Sequence, residues 1–585
     1  MLEDLVVGMV GSGGDGVVSA GESLLAAASS QGFYALMTKS FGSQIRGGES
    51  SCRVRISTRK VPNPGGVLDV AVALNWEDFR RFGAELPLGP DTVLIHEAKA
   101  GPPPADLAPP GRAPRQVLAV PLAEIAKTAA GTDRAKTTVV LGALSGWFGV
   151  PSEALDRGLQ KKFAQKGEGL LEANRKALAA GIAHAAAHPL ASPRALVHPA
   201  KPLPKLLCDG NEMCASAALF SGCEFFGGYP ITPSTEVMQI LSRELPKYGG
   251  VVLQAEDEIS GVGAAVGASF AGKKSMTATS GPGMSLKTEV LGLATIAELP
   301  LVLLNVQRGG PSTGLPTKPE QADLFQAAFS AHGDVLRPVL APTSVEDTFR
   351  LTVEAFNLAE RYQTPVVILS DQEIAQRKET VDPIDVSRLE VLERLRPTPE
   401  QLAQGYQRFA DSPSGVSPLS HPGMKGGNYL AAGIEHDARG APTASGAVHA
   451  AMNAKRFRKL EPLQTRTDLF ERQGAPDAPL ALVSWGSSAG VAREAFVRAR
   501  ALGLPVKLLV PYLLYPVAEP VYREFFTSVR RGLVLELSHQ GQLYRVLRMF
   551  VDVPAGMTSF ARSGAQPFRV DEVLERLQQQ AEALR

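Results

Sequence analysis

The chain has 585 residues, of which 44% are hydrophobic and 20% are charged, proportions typical of a globular protein rather than a disordered one. The 60 basic and 59 acidic residues give a net charge of +1, which does not favour a partner such as nucleic acid. At about 150 residues per domain, the length indicates three or four domains.

Secretion, membrane insertion and metal binding by this chain alone are all disfavoured by the sequence. No apolar run reaches the ~18 residues of a membrane span. The start, MLEDLVVGMV, carries acids and no basic residue, so it predicts a strand rather than a secretory signal. The four cysteines form no C-x-x-C pair, which disfavours a disulfide framework or a zinc or iron–sulfur site. We expect a soluble cytoplasmic protein with no metal site of its own.

Short apolar runs alternate with helical stretches along most of the chain, which predicts a multidomain α/β protein. In the first domain the alternation favours a mainly parallel sheet. A proline-rich stretch predicts a linker, and a segment of weak periodicity predicts extended structure that connects two α/β domains. The predicted division is an α/β domain at 1–187, the linker at 188–205, a second α/β domain at 206–385, the connecting segment at 386–460, and a last α/β domain at 461–585.

The first strand leads into Gly11–Gly16, which satisfies G-x-G-x-x-G and opens a helix. Backbone N–H groups in such a turn can bind phosphate. No acid follows about 20 residues later, so NAD binding is disfavoured, and a tight turn without a ligand is an equal alternative. Asp15 makes a G-D-G triplet, but no Asn follows at the spacing of a magnesium–diphosphate motif. Arg46 lies in a glycine-flanked loop, for which a solvated position is the usual interpretation.

Three segments of the second α/β domain combine charge with turn or helix signals. Thr232 before Pro233 predicts a helix N-cap with proline in the first turn. The acids 256–258 precede a helix made almost entirely of small residues, which lets a backbone or a flat ligand approach closely. A long polar loop, 307–318, follows an apolar strand, at the position where open α/β sheets bind ligands. A capped helix and a solvated loop are the ordinary alternatives.

These segments resemble the alpha subunit of the 2-oxoacid:ferredoxin oxidoreductases. The resemblance is carried by GGYPITPSTE, QAEDEISGVGAAVGASFAG, TATSGPGMSL and VQRGGPSTGLPTKPEQADL. It is closest to the two-subunit 2-oxoglutarate type, in which a gamma domain is fused ahead of alpha. The N-terminal GSGGDGVVSAGE and KSFGSQIRGGESSCRVRIS are similar to that gamma domain.

The resemblance implies a division of labour between subunits. Residues 1–187 would be the gamma-type domain, 206–385 a pyrimidine-binding domain for thiamine diphosphate, and 461–585 a transketolase C-terminal-like domain. A separate beta subunit would hold the diphosphate, Mg²⁺ and a [4Fe-4S] cluster, in an (alpha–beta)₂ assembly. The reaction would convert 2-oxoglutarate and CoA to succinyl-CoA and CO₂, with ferredoxin as the electron acceptor.

The resemblance also implies roles for individual residues. Glu258 would hydrogen-bond N1′ of the cofactor, Thr232 would contact the reacting end of the substrate, and Arg308 would pair with its 1-carboxylate. Lys318, the other cation of the same loop, is expected to reach the distal carboxylate. Other cofactor contacts are expected at Tyr229, Pro230, Ile231 and Gly281, and CoA phosphate contacts at Gly13, Gly14 and Arg46.

Two alternatives remain open from the sequence. The same chemistry could act on pyruvate, or on branched-chain or aryl 2-oxoacids. In the other alternative the chain is a scaffold subunit that binds CoA or a nucleotide and has no chemistry of its own.

Overall fold

The computed structural model describes residues 2–42, 48–108, 111–163 and 167–584. The chain divides into two compact units, each assembled from two stretches of sequence. The first unit comprises Met1–Asp209 and Arg377–Ile384, and the second comprises Gly210–Gln376 and Asp385–Arg585. The finer division into five segments stays a prediction. Among the described residues, none of the helices is both long and apolar enough to cross a membrane.

The strands alternate with helices along most of the chain. They are β1 (Asp4–Gly11), β2 (Tyr34–Phe41), β3 (Ser50–Ser57), β4 (Val70–Ala73), β5 (Val93–Glu97), β6 (Gln116–Val120), β7 (Leu206–Cys208), β8 (Phe225–Gly228), β9 (Val251–Gln254), β10 (Ser275–Thr279), β11 (Leu301–Gln307), β12 (Val339–Leu340), β13 (Pro365–Asp371), β14 (Lys378–Val381), β15 (Phe470–Gln473), β16 (Leu480–Ser484), β17 (Val506–Pro511), β18 (Leu513–Tyr515), β19 (Arg531–Glu536) and β20 (Gly556–Ala561).

The α-helices are α1 (Val17–Ser30), α2 (Trp76–Arg81), α3 (Leu122–Ala130), α4 (Lys136–Phe148), α5 (Ser152–Phe163), α6 (Glu168–Ala187), α7 (Gly210–Phe220), α8 (Thr235–Glu244), α9 (Glu258–Phe270), α10 (Gly281–Ile296), α11 (Leu324–Phe329), α12 (Val345–Tyr362), α13 (Gln372–Gln376), α14 (Pro399–Ala403), α15 (Gly446–Arg458), α16 (Ser488–Ala501), α17 (Glu519–Phe526), α18 (Gln542–Phe550) and α19 (Val570–Glu582).

The sheet of the first unit has the strand order β6-β5-β4-β1-β3-β2-β14-β7. Its first four strands run parallel, but β3, β2, β14 and β7 are joined by antiparallel pairs. The expected mainly parallel sheet is therefore wrong for this half. The reason is the connection from β2 to β3, which spans only 42–49 and is too short for the crossover that a parallel pair needs.

The main sheet of the second unit has the order β18-β12-β13-β11-β10-β8-β9. Its central strands β11 and β13 are buried along their whole length, as expected for parallel strands with both faces covered. Strand β18 comes from the last part of the chain and pairs antiparallel with β12. The predicted last α/β domain thus contributes a strand to the sheet of the predicted second one.

A third sheet, in the order β15-β17-β16-β19-β20, forms the last part of the second unit. Apolar side chains of β16, β17 and β19 pack with α16 and α19 into a core of their own. The predicted C-terminal amphipathic helix is present as α19, which buries Val570, Val573 and Leu577. The connecting segment 386–460 is largely without regular structure apart from α14 and α15.

Candidate active site

Four segments of the second unit meet at one edge of its main sheet. Strands β11, β10, β8 and β9 are neighbours and run parallel, so their carboxyl ends lie at the same edge. The segments that follow them are the loop from Arg308, the start of α10 at Gly281, the turn at 229–234 and the start of α9 at Glu258. Every residue that the resemblance implies for cofactor and substrate, other than CoA, comes from these four segments.

The structure separates the three consecutive acids at the start of α9. Asp257 is the helix N-cap, and its carboxylate accepts hydrogen bonds from the Ser260 backbone N–H at 2.7 Å and from the Ser260 hydroxyl at 2.8 Å. These bonds lower the pKa of Asp257. Glu256 is exposed. Glu258 is 8% exposed, and within the described residues its carboxylate has neither a hydrogen bond nor an ion pair. Glu258 is therefore the buried acid of the three whose carboxylate remains available to a ligand.

Small residues of α9 allow backbone to pack against backbone on one side of the helix. A Cβ on Gly227 of β8 would collide with the carbonyl oxygen of Gly261, and a Cβ on Gly261 would lie 3.1 Å from the Gly228 Cα. On the other side, a Cβ on Gly263 or Gly267 would meet nothing within 4 Å. Part of the small-residue pattern thus serves internal packing, and part leaves an open helix face.

Directly behind Glu258 lies a fully buried lysine of α10. The Lys287 Nζ donates to the backbone carbonyl oxygen of Glu258 at 3.0 Å and to the Thr277 hydroxyl at 3.2 Å. Burial lowers the pKa of Lys287 to about 8, against the opposing effect of the charges on Glu258 and Asp257. The next turn toward the helix start is tightly packed, because a Cβ on Gly283 would lie 2.8 Å from the Glu258 Cγ.

Arg308 begins the loop after β11 and is also buried, with 8% of its surface exposed. Its guanidinium donates to the backbone carbonyl oxygen of Thr232, which joins the two loops. The Arg308 Nε is buried without a hydrogen-bond partner in the described part of the chain. Burial lowers the pKa of Arg308, and the charge of Asp323 opposes that shift. The guanidinium thus retains donor capacity for an anionic ligand.

The predicted N-cap at Thr232 is wrong. Helix α8 begins at Thr235, and Thr232 is an exposed residue whose peptide bond to Pro233 is cis. The chain turns before the helix because the Ser234 N–H bonds back to the Ile231 carbonyl oxygen at 2.9 Å. Thr232 consequently does not cap the helix, and it is an exposed residue that a ligand can reach.

The loop that carries Arg308 folds back on itself. The Gly309 N–H donates to the Lys318 carbonyl oxygen at 3.1 Å, and the Leu315 N–H donates to the Gly309 carbonyl oxygen at 2.8 Å. Lys318, which is half-buried, is therefore placed beside the residue that follows Arg308. The backbone of Lys318 is thus close to that of Arg308, the other predicted cation of the loop.

Two buried residues fasten this loop to the last part of the chain. The Glu320 carboxylate accepts from the Gly310 N–H at 2.9 Å and from the Gly564 N–H at 2.8 Å. The Gln321 side-chain oxygen accepts from the Ser488 hydroxyl and the Leu537 N–H, and its nitrogen donates to the Trp485 carbonyl oxygen at 2.7 Å. The Gln321 side-chain amide accepts two hydrogen bonds and donates one. These three bonds fix the position of the side chain relative to the last part of the chain.

Asp323 closes the loop next to the start of α10. Its carboxylate accepts from the Asn305 side-chain amide at 3.0 Å, and a Cβ on Gly281 would lie 3.2 Å from it. Burial raises the pKa of Asp323 to about 6, with a further upward effect from Glu320 and a downward effect from the Asn305 bond and Arg308. Asp323 and Glu258 thus flank the same first turn of α10, at Gly281 and Gly283 respectively.

The remaining predicted cofactor contacts lie at the same edge. Tyr229 is 40% exposed, while Pro230, Ile231 and Gly281 are half-buried. Three buried polar atoms in this region have no hydrogen-bond partner among the described residues. They are the Ser280 hydroxyl, the Asn305 side-chain oxygen and the Arg308 Nε. Buried polar groups are normally satisfied, so this concentration at one edge is typical of a ligand site.

The glycine turn of the first unit has a different character. The Asp15 carboxylate accepts from the Ser12 N–H at 3.0 Å and forms an ion pair with Lys136 at 2.7 Å. The Ser12 hydroxyl donates to Asp78 at 2.7 Å. The described geometry favours the structural interpretation of this turn, since a phosphate here would meet two carboxylates. Arg46 lies outside the described residues, and the CoA contacts of Gly13, Gly14 and Arg46 stay predictions.

Sequence reasoning missed Lys287 and Gln321. A lysine in a helix is usually solvated, but Lys287 lies three and four residues from Met284, Gly283, Val290 and Leu291, all buried, so helical spacing places it on the core face. Gln321 had no comparable signal, because its partners come from more than 160 residues away in sequence.

Comparison with known proteins identifies the family to which the chain belongs. Residues 216–455 match the family model described as "Pyruvate flavodoxin/ferredoxin oxidoreductase, thiamine diP-bdg", and residues 6–184 match "Pyruvate ferredoxin/flavodoxin oxidoreductase". Mycobacterium tuberculosis has a 2-oxoglutarate oxidoreductase subunit KorA that is 33% identical, over 94% of this chain and 87% of its own length. The 2-oxoglutarate synthase subunit KorA of Methanocaldococcus jannaschii is 36% identical over 57% of this chain and 89% of its own length.

A solved structure matches almost the whole chain. It is the 2-oxoglutarate:ferredoxin oxidoreductase from Magnetococcus marinus, with 2-oxoglutarate, coenzyme A and succinyl-CoA bound. The TM-score is 0.93 at 36% identity, and the match covers 99% of this chain and 100% of that one. The fold is that of a thiamine-diphosphate-dependent oxidoreductase subunit. The chain belongs to the 2-oxoacid:ferredoxin oxidoreductase family, as an alpha subunit with a gamma-type domain fused ahead of it.

The described residues fit the aminopyrimidine end of thiamine diphosphate. That ring is flat and carries nitrogen groups that hydrogen-bond, and the site offers a buried carboxylate without a partner and several unsatisfied polar atoms. Glu258, Ser280 and Asn305 are the residues suited to hold it. The bulky Tyr229 is exposed at the same edge of the sheet, and an aromatic ring of this kind can cover the face of a flat ligand.

Proposed function

We propose that this chain is the alpha subunit of a 2-oxoglutarate:ferredoxin oxidoreductase. With a beta subunit, it would catalyse the CoA-dependent oxidative decarboxylation of 2-oxoglutarate to succinyl-CoA and CO₂, with ferredoxin as the electron acceptor. The observation that carries this proposal is one edge of the main sheet of the second unit, where two buried charged groups lie at the carboxyl ends of parallel strands. They are the carboxylate of Glu258, which has no partner among the described residues, and the guanidinium of Arg308. The substrate is supported by the likeness to the Magnetococcus marinus enzyme and to the KorA subunits.

The roles of the residues follow from their chemistry. Thiamine diphosphate, when bound, supplies the carbon nucleophile and the electron sink for decarboxylation. Glu258 would accept a hydrogen bond from the ring N1′, and its burial favours a strong bond because water does not compete. Arg308 would hold the 1-carboxylate of the substrate, since a guanidinium binds a carboxylate through two parallel N–H groups. Thr232 would contact the reacting end of the substrate through its exposed hydroxyl.

The distal carboxylate distinguishes 2-oxoglutarate from pyruvate. We propose that Lys318 binds it, because the loop places Lys318 beside Gly309 and so near Arg308. Leaving a carboxylate without a partner in the site would cost several kcal/mol, so the enzyme should discriminate strongly among 2-oxoacids.

Exposed residues on α9 and α10 support the proposal that this chain binds a partner subunit. Ile259, Gly263 and Gly267 follow one another at helical spacing on α9, and Leu286 and Leu293 are exposed on α10. Ile259 and Leu286 are each 49% exposed. Exposed apolar and small residues on adjacent helices are typical of a protein interface. We propose that the beta subunit brings Mg²⁺ and a [4Fe-4S] cluster, that the assembly is (alpha–beta)₂, and that it works in the cytoplasm.

The test is an assay of the co-purified alpha–beta complex with CoA, ferredoxin and one of three substrates: 2-oxoglutarate, pyruvate or 2-oxoisovalerate. We expect kcat/KM to be at least about 100-fold higher for 2-oxoglutarate, on the scale of an unpaired buried charge. We also expect no turnover without thiamine diphosphate. Equal or greater turnover with pyruvate would overturn the substrate, and turnover independent of thiamine would overturn the chemistry.

A lysine variant refines the same assay. Lys318→Met should lower the preference for 2-oxoglutarate more than it lowers turnover of pyruvate, because only the dicarboxylate uses this ammonium. Lys247→Met is the matched control. Lys247 is exposed, pairs with Glu244 and precedes the amino end of β9, away from the site. If Lys318→Met leaves the substrate preference unchanged, the distal carboxylate is bound elsewhere.

A further inference from the structure

Lys287 is a buried cation that the proposed chemistry does not yet use. None of its surface is exposed, and within the described residues both of its hydrogen bonds go to neutral oxygens, the Glu258 backbone carbonyl and the Thr277 hydroxyl. Burying an ammonium without a hydrogen-bonded carboxylate is costly, and an apolar residue of the same length would fill the position at lower cost. A lysine at a position where an apolar side chain would be less costly indicates that its charge has a role.

The acidic groups that interact electrostatically with Lys287 indicate which residue its charge can affect. They are Glu258 and Asp257, both at the start of α9, while strand β10 presents only the neutral Thr277. Asp257 is already committed to the helix cap through Ser260. Glu258 has no other partner within the described residues. Lys287 thus lies on the core side of Glu258, the buried member of the three acids 256–258.

We propose that Lys287 is a positioning residue for Glu258. Its hydrogen bond to the Glu258 carbonyl fixes the first turn of α9, and its positive charge stabilises the ionised carboxylate from behind. This inference rests on the proposed function, in which Glu258 accepts a hydrogen bond from the cofactor N1′. Lys287 itself would touch neither cofactor nor substrate.

The positioning role carries a pH signature. Because burial lowers the pKa of Lys287 to about 8, the charge behind Glu258 is lost as the pH rises through that value. Proton exchange at C2 of bound thiamine diphosphate should therefore slow above about pH 8. A lysine with a merely structural role would not link this exchange rate to its own titration.

The test uses the alpha–beta complex loaded with thiamine diphosphate, and the measurement is the rate of deuterium exchange at C2 from pH 6.5 to 9.5. For Lys287→Met we expect exchange at least tenfold slower at pH 7 and no further fall above pH 8. Lys274→Met is the matched control. Lys274 is a lysine of the same unit that is 4% exposed, but it pairs with Glu393. Exchange in Lys274→Met should follow the wild-type profile.

A second readout needs no cofactor. In the free chain, the denaturation midpoint of the wild type should rise relative to that of Lys287→Met between pH 7 and 10. The reason is that the folded state releases the lysine proton at a lower pH than the unfolded state does. If the variant does not assemble with the beta subunit, the wild-type exchange profile decides, and a profile flat to pH 9.5 would overturn the proposal.

Glu258→Gln, measured in parallel, separates the two possible failures. Wild-type exchange rates in both variants would contradict the proposed function itself. Slow exchange in Glu258→Gln together with a wild-type rate and pH profile in Lys287→Met would overturn only the role of Lys287.

Discussion

Two glycine-rich strand-to-helix turns of this protein invite comparison. One follows β1 in the first unit, and the other follows β10 in the second unit at Ser280–Gly283. Both place glycine at the start of a helix, where backbone N–H groups are available to a ligand. In the first turn, the Asp15 carboxylate accepts a hydrogen bond from the Ser12 N–H and forms an ion pair with Lys136. In the second, the Ser280 hydroxyl is buried without a partner in the described part of the chain.

The difference shows that glycine at a turn is not by itself the mark of a ligand site. The polar groups of the first turn satisfy one another and add negative charge. At the second turn, Asp323 and Glu258 flank the helix start, and Glu258 has no partner among the described residues. What a turn leaves unsatisfied is thus a better guide to ligand binding than its glycine pattern.

The largest effect is expected at the loop that faces the second turn. Arg308→Met should lower kcat/KM for 2-oxoglutarate by about 100-fold or more, because a charged pair in a water-poor site is lost. Arg361→Met serves as the control, since Arg361 is exposed at the end of α12, near the amino end of β13. Steady-state kinetics of the alpha–beta complex are the measurement, and similar constants for both variants would contradict the assignment.

The fastening of that loop should show as a loss of stability. Gln321→Leu would leave the Ser488 hydroxyl and the Leu537 N–H buried without an acceptor, at a cost of about 2–4 kcal/mol. We also expect KM to rise more than kcat falls, because Arg308 is on the loosened loop. Gln239→Leu, at an exposed position of α8, is the control for denaturation and kinetics. Equal stabilities would show that Gln321 does not hold the loop.

The carboxyl group at the second turn should give a pH-dependent stability. Burial raises the pKa of Asp323 to about 6, so the folded state favours the protonated form, and this contribution is lost as the pH rises through 6. The substitution Asp323→Asn removes this titration. The free energy of unfolding of the variant, relative to that of the wild type, should therefore be higher at pH 7 than at pH 4, by up to about 3 kcal/mol. Denaturation of variant and wild type at both values measures this. A difference that does not change with pH would contradict the shifted pKa.

The smallest effect is expected at the first turn. Gly14 has a φ of 91°, so Gly14→Ala should cost about 1 kcal/mol of stability through backbone strain alone. If the turn is structural, the apparent KM for CoA should change less than about twofold. A rise of tenfold or more in a folded variant would show that Gly14 contacts CoA and would break the contrast between the two turns. Arg46→Ala tests a second of the three predicted CoA contacts in the same assay.

Much of the α/β architecture was predictable because its signals are local. Buried strands such as β11 and β13 are continuous apolar runs, and α19 has a clear apolar face. The antiparallel half of the first sheet was not predicted, since it depends on a short connection and on β14, which lies far away in sequence. The residues of the site came from family resemblance rather than from spacing. Local physics placed Thr232 at a helix cap, whereas it lies in a turn before the helix.

The roles of Lys287 and Gln321 depended on long-range contacts. A sequence does not show that a lysine 29 positions after Glu258 bonds to its carbonyl oxygen. Nor does it show which of the acids 256–258 is consumed by capping and which is buried. These distinctions arise from packing, which joins residues far apart in the sequence.

The most direct test of the account is therefore the rate of C2 deuterium exchange of thiamine diphosphate in three variant alpha–beta complexes. We expect Glu258→Gln to slow the exchange by about 100-fold or more, because the amide keeps the volume of the side chain and removes its charge. Glu256→Gln, at an exposed acid, and Asp257→Asn, at the helix cap, should stay within a few fold of the wild-type rate. A larger effect in either of these two than in Glu258→Gln would contradict the assignment of the catalytic carboxylate.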